Sequence, residues 1–97
     1  MDGVALHVNE KDNVATVFIN GVTAGQTLPV RDHRGNTESV QTNAPIPYGH
    51  KVALRAIHPG EPVVKYGQQI GLASREICPG DHVHIHNMDS ARGRGDL

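Results

Sequence analysis

The chain has 97 residues, a formal net charge of −1, and 3% aromatic residues with no tryptophan. That length suits one small domain whose core is built from Val, Ile, Leu and Ala. The near-neutral charge, with no dense Lys/Arg run, leaves no electrostatic footprint for nucleic acid or an anionic membrane. Six prolines and eleven glycines are spread along the chain, as many short turns in an all-β domain require.

In chain order, Val4 to Val8 reads as a first strand and Asn9 to Asp12 as a polar turn. Asn13 to Ile19 reads as a second strand, with one turn of helix over Glu10 to Val14 as a competing expectation. Asn20-Gly21 supplies the left-handed backbone of a tight turn. Arg31 to Thr37 is expected to be a polar hairpin tip, flanked by strands at Thr27 to Val30 and Glu38 to Thr42. No stretch keeps a helical period, so the fold class expected is all-β, with little helix.

A spacing then repeats: an apolar residue, a glycine three positions on, and an apolar residue three further on. Val22 to Leu28, Ile46 to Val52, Ile57 to Val63 and Ile77 to Val83 all carry it. Each reads as a turn set by proline or by a glycine of positive φ, feeding a strand. The period is irregular, so a solenoid is excluded.

The last copy runs into His82-Val83-His84-Ile85-His86-Asn87. Read as one extended strand, it points the three imidazoles to one face and Val83 and Ile85 to a core. Imidazole is the commonest metal-ligating side chain, and two from one strand can serve a single ion. A third ligand is needed to complete a site, and His50, His58, Asp81 and Asp89 are the supplements. The plainer alternative is a polar strand whose histidines only form hydrogen bonds. Gly49-His50-Lys51 and Lys65-Tyr66-Gly67 place cations and a phenol beside turn glycines, where they could clamp a carboxylate or move a proton; turns whose charged residues are simply solvated, with Tyr66 half in the core, are the favoured plain reading of each alone.

Cys78 is the only cysteine, so no internal disulfide can form, and a turn thiol is a better reading than a nucleophile. With no leader pattern and no membrane-length apolar run, a cytoplasmic location is expected. Residues 1–88 are assigned to the domain and 89–97 to a Gly/Arg-rich tail. In that tail Arg92 and Arg94 could grip carboxylates, with a frayed terminus the equal alternative, and Arg94-Gly95-Asp96 is dismissed as a chance adhesion tripeptide.

Taken together, Asp12-Asn13-Val14-Ala15, Ala24-Gly25, Ile46 to Leu54, Val64 to Gly67, Ile70-Gly71 and His82 to Asn87 resemble the altronate/galactarate dehydratase family. The match is to its small SAF-type domain and covers nearly the whole chain. The resemblance implies a β-clip fold and a lyase that removes water from sugar acids, or sulfite from sulfolactate. It also implies a divalent metal, iron or manganese, and a large dehydratase subunit as partner; exposed β edges in so small a domain make self-association a further option. On this reading His84, His86 and His50 are catalytic, and His82, His84 and His86 hold metal. Lys51, Lys65, Tyr66, Arg92 and Arg94 bind the substrate acid. The altronate and sulfolactate branches fit better than the galactarate branch, which lacks the alternating histidines. Ending at Leu97, the chain is expected to be a separate small subunit or an excised domain. A module that binds a sugar acid or a partner without doing chemistry is the alternative, as is an unrelated small metal-binding β protein.

Overall fold

A computed structural model describes residues 4–90. Its strands are Ala5–His7 (β1), Val14–Val17 (β2), Thr27–Asp32 (β3), Thr37–Gln41 (β4), Lys51–Ala53 (β5), Pro62–Lys65 (β6), Gln68–Ala73 (β7), His82–Val83 (β8) and Met88–Ser90 (β9). No helix occurs among the described residues, so the fold is all-β, as the turn-rich composition predicts. Residues 9–12 form a β-turn closed by the Asp12 N–H on the Asn9 carbonyl, not a turn of helix. One sheet has the order β4-β3-β1-β2-β5-β8 and the other β6-β7-β9.

The four repeated spacings are four copies of one device. In each, the apolar residue makes an isolated bridge, a turn glycine has a φ between 79° and 92°, and a strand follows. Each turn glycine donates its N–H to one carbonyl on a partner segment. That same partner residue donates back to the carbonyl just after the glycine. Gly25 and Gln26 use Thr42, Gly49 and His50 use Val17, Gly60 and Glu61 use Ala73, and Gly80 and Asp81 use Ala53.

These links are reciprocal. Thr42 and Val17 lead into the second and first copies, so those two clasp each other, bridged at Val22 and Ile46. Ala73 and Ala53 lead into the fourth and third copies, which clasp across Ile57 and Ile77. Each clasp buries its own core. Val22, Leu28, Val30 and Ile46 lie in one, and Ile57, Val63, Ile77 and Val83 in the other.

A two-stranded ribbon, β2 with β5, forms the wall between the cores. Successive residues of a strand point to opposite faces. The pair Ala15 and Val52 therefore enters the first core, while Val14 and Ala53 enter the second. All four residues of β2 are buried for this reason, where a one-faced strand would alternate.

The Asp12-Asn13 pair staples the ribbon to the β6–β7 hairpin. Buried Asp12 accepts the Gly67 N–H at 2.7 Å and the Asn9 N–H at 3.1 Å. Asn13 accepts the Val64 N–H and donates to the Pro62 carbonyl. The hairpin turn puts both Tyr66 (φ 56°) and Gly67 (φ 74°) at positive φ. A tyrosine is held there because the carboxylate fixes the turn beside it.

Candidate functional site

The histidine segment does not run as one strand. β8 ends at Val83, and residues 84–87 fold into a β-turn in which the Asn87 N–H donates to the His84 carbonyl. The Asn87 side chain locks that turn, accepting the His84 N–H at 2.9 Å and donating to the His82 carbonyl at 2.9 Å. Ile85 sits at the turn's tip, 81% exposed, so the expectation that it anchors a core is overturned. An asparagine that binds the main chain at both ends of its own segment offers a turn that competes with the extended form.

The imidazoles nevertheless converge, with a membership set by strand pairing. β5 and β8 run antiparallel, with Lys51 opposite Val83 and Val52 opposite His82. One step further along that register brings His50 beside His84, their ring centroids 4.6 Å apart. His50 Nδ1 lies 2.9 Å from His82 Nε2, a hydrogen bond in which one ring donates and the other accepts. The rings of His82 and His84 stack at 5.5 Å and 10°. One ligand atom from each of His50, His82 and His84 falls within 4.8 Å of the others. His86 stands at the margin, its ring 5.3 Å from that of His82.

Among the described residues, no carboxylate joins this group. Burial, and then the charges of His50, His86, His84 and Lys51, hold His82 down to about 4. Burial and then His50, Lys51 and His86 lower His84 as well. Both rings are therefore neutral at pH 7, the protonation state in which imidazole ligates a metal. Lys51 is lowered by burial and by Lys65. Lys65 in turn places its ammonium 4.8 Å from the centre of the exposed Tyr66 ring. The neutral nitrogens and neighbouring ammonium groups make a surface suited to a cation on one side and an organic acid beside it.

Of the other residues singled out by sequence, His58 pairs with Glu76 at 2.9 Å, and Asp81 accepts the Cys78 N–H and an Asn43 amide proton. Asp89 lies on β9 opposite Leu72 and is outside the histidine group. Cys78 is exposed on its turn. Arg92 and Arg94 lie outside the described residues. No helix among the described residues is long and apolar enough to cross a membrane.

Residues 4–91 match the family model described as altronate/galactarate dehydratase SAF domain. The chain belongs to that family. It is 40% identical over 83 residues to the (2R)-sulfolactate sulfo-lyase subunit alpha of Chromohalobacter salexigens, covering 84% of this chain and 87% of that one. It is 45% identical over 82 residues to the altronate dehydratase of Bacillus subtilis, where the match takes in 84% of this chain but 15% of the relative. Similarity to the galactarate dehydratase (L-threo-forming) of Escherichia coli is lower, 34% over 79 residues and 14% of that protein. The chain thus spans most of a small subunit in one relative and about a seventh of a long chain in the others.

Proposed function

We propose that this chain is the small metal- and acid-handling module of a lyase of the sugar-acid dehydratase type, working with a large catalytic chain. The observation that carries this reading is the convergence of His50, His82 and His84 within 4.8 Å, with Lys51 beside them and no carboxylate of the described residues among them. Three imidazole nitrogens fit a divalent ion of borderline softness such as iron or manganese. An ion held there would act as a Lewis acid toward a substrate oxygen. His50, His82 and His84 would hold it, and His86, at the margin, is placed to hand on or receive a proton.

Lys51 and Lys65 repel each other, and a substrate carboxylate between them relieves that repulsion. Tyr66 offers a phenol beside the Lys65 ammonium. In the dehydration itself the proton on C2 of a 2,3-dihydroxy acid passes to a base, and the C3 hydroxyl takes up a proton and leaves as water. The enol that remains tautomerises to a 2-keto-3-deoxy acid. The described residues bring no carboxylate into the histidine group, so an acidic general base and further anionic ligands are assigned to the large chain. Arg92 and Arg94 would address the substrate or that chain. A cytoplasmic setting suits the single thiol. Sulfite release from sulfolactate is a second reading, favoured by the relative in which a separate small subunit is matched over 87% of its length.

The test combines this chain with Bacillus subtilis altronate dehydratase from which the matching 82-residue segment has been removed. Altronate, galactarate and sulfolactate are offered with iron or manganese, and 2-keto acid and sulfite are measured. Turnover that appears only with both chains, and falls with His82→Ala or His84→Ala while the chains still associate, supports the reading. Turnover unaffected by those substitutions leaves only a binding role.

A further inference from the structure

We propose that Pro47 is the positioning residue of the histidine site: lacking an N–H, it leaves the His50 ring free to reach His82. The other turns show why. In five of them the first residue's N–H is capped by the side chain three positions on. Asp12 caps Asn9 at 3.1 Å, Gln26 caps Thr23 at 3.1 Å and Glu61 caps His58 at 2.7 Å. Asp81 caps Cys78 at 2.7 Å and Asn87 caps His84 at 2.9 Å. Such a bond satisfies a main-chain donor that the turn would otherwise leave open.

The turn at 47–50 is built on the same frame, with the His50 N–H donating to the Pro47 carbonyl at 3.0 Å. Its first residue is proline, which has no N–H to cap. His50 occupies the position held by Gln26, Glu61 and Asp81 in the sister copies. Its Nδ1 stands as many bonds from the main chain as the capping oxygen of Asp81 or Asn87. That nitrogen could accept an N–H from position 47, yet it is the atom bonded to His82 Nε2 at 2.9 Å. An N–H at position 47 would compete for it. The second and fourth copies sit on the paired strands β5 and β8, so the released side chain points into the site and not into solvent.

This inference deepens the site proposed above, but its first readout needs no metal. Histidine-labelled chain, metal-free, is examined by nitrogen NMR for the His50–His82 ring pair, and zinc is then titrated calorimetrically. Pro47→Ala is expected to move the His50 Nδ1 partner from His82 to the main-chain N–H that the substitution creates. Zinc binding should weaken about fivefold, the net worth of one hydrogen bond. Pro47→Ala/Tyr48→Pro restores a proline where Pro59 and Pro79 stand in the sister turns, so the turn is stiff but the N–H remains. It should behave like Pro47→Ala. Recovery of the ring pair in this double variant would show that stiffness, not the missing donor, matters, and would overturn the inference. So would a ring pair unchanged in Pro47→Ala. Failure of the unaltered chain to bind zinc would count against the metal reading alone, because the ring pair is scored without it.

Discussion

The sharpest prediction concerns which nitrogens bind an ion and in what geometry. His50 Nδ1 and His82 Nε2 are 2.9 Å apart. With metal–nitrogen bonds of about 2.1 Å, that separation subtends roughly 90° at the ion, whereas a tetrahedral pair would stand about 3.4 Å apart. An ion that displaced the proton of that hydrogen bond and took both nitrogens at this spacing would hold them as one edge of an octahedron, as in iron and manganese sites that keep open positions. Cobalt added to the isolated chain should give the faint pink spectrum of a six-coordinate ion. Replacing His50, His82 or His84 by Ala should each weaken binding by more than the ~10–100-fold that an outer-sphere partner is worth. His86→Ala should cost less than about tenfold, since its ring neighbours only that of His82 at the edge of the group. An intense blue four-coordinate spectrum, or a His86→Ala loss as large as that of His82→Ala, would refute the assignment.

Three further outcomes are expected. In the metal-free chain, His82 is held at about 4 against an ordinary 6.5. Between those values the unfolded chain binds a proton that the folded ring refuses, so stability should fall as pH drops through that window. The ring neighbours those of His50, His84 and His86 and feels the Lys51 charge, and His82→Asn should flatten this slope in urea melts, whereas an unchanged slope would sink the argument. Gly60→Ala should cost about 1–2 kcal/mol, because φ is 86° and the space around it is open. Gly80→Ala should cost at least about twice as much, because its Cβ would also run into the Gln41 carbonyl; equal melting temperatures would contradict the packing described. Ile85→Ser should change stability by less than about 0.5 kcal/mol, against the ~2–5 kcal/mol expected for truncating a buried isoleucine.

Much of this fold was legible because its turns are chemically explicit. The apolar–glycine–apolar spacing marked all four clasping turns, and Arg31 to Thr37 marked a hairpin whose strands run a residue or two into that loop. What the spacing could not convey was the pairing of first with second copy and third with fourth, a long-range register with no local signal. Strand β2 was similarly opaque: its role as a wall between two cores follows from β5 on one side and both clasps around it. The histidine segment misled for a definable reason. Alternation of imidazole with Val and Ile suggested a strand, but Asn87 lay close enough to cap His84 and bend the chain. That histidines would gather was readable from sequence, while the inclusion of His50 ahead of His86 depended on the β5–β8 register. β9 carried no pattern at all, being recruited by β7.

The four turns also explain how a scaffold this small can spare side chains for chemistry. A position capping its own turn is committed, because losing the cap leaves a main-chain donor open at a cost of ~1–3 kcal/mol. Gln26, Glu61 and Asp81 are committed in this way, and His50 is not. One place further on, the residues are Thr27, Lys51, Pro62 and His82, of which the second and fourth head the paired strands β5 and β8. The free positions of two copies thus meet where the shared ribbon joins the two clasps. Main-chain ladders on both flanks hold the rings there: Ala53 exchanges bonds with Gly80 and Asp81, and Val17 with Gly49 and His50. A ligand gripped by His50 and His82 would bridge one clasp to the other. Its binding energy would then add to the stability of the whole fold, and the rigidity of both clasps keeps the nitrogens convergent without it.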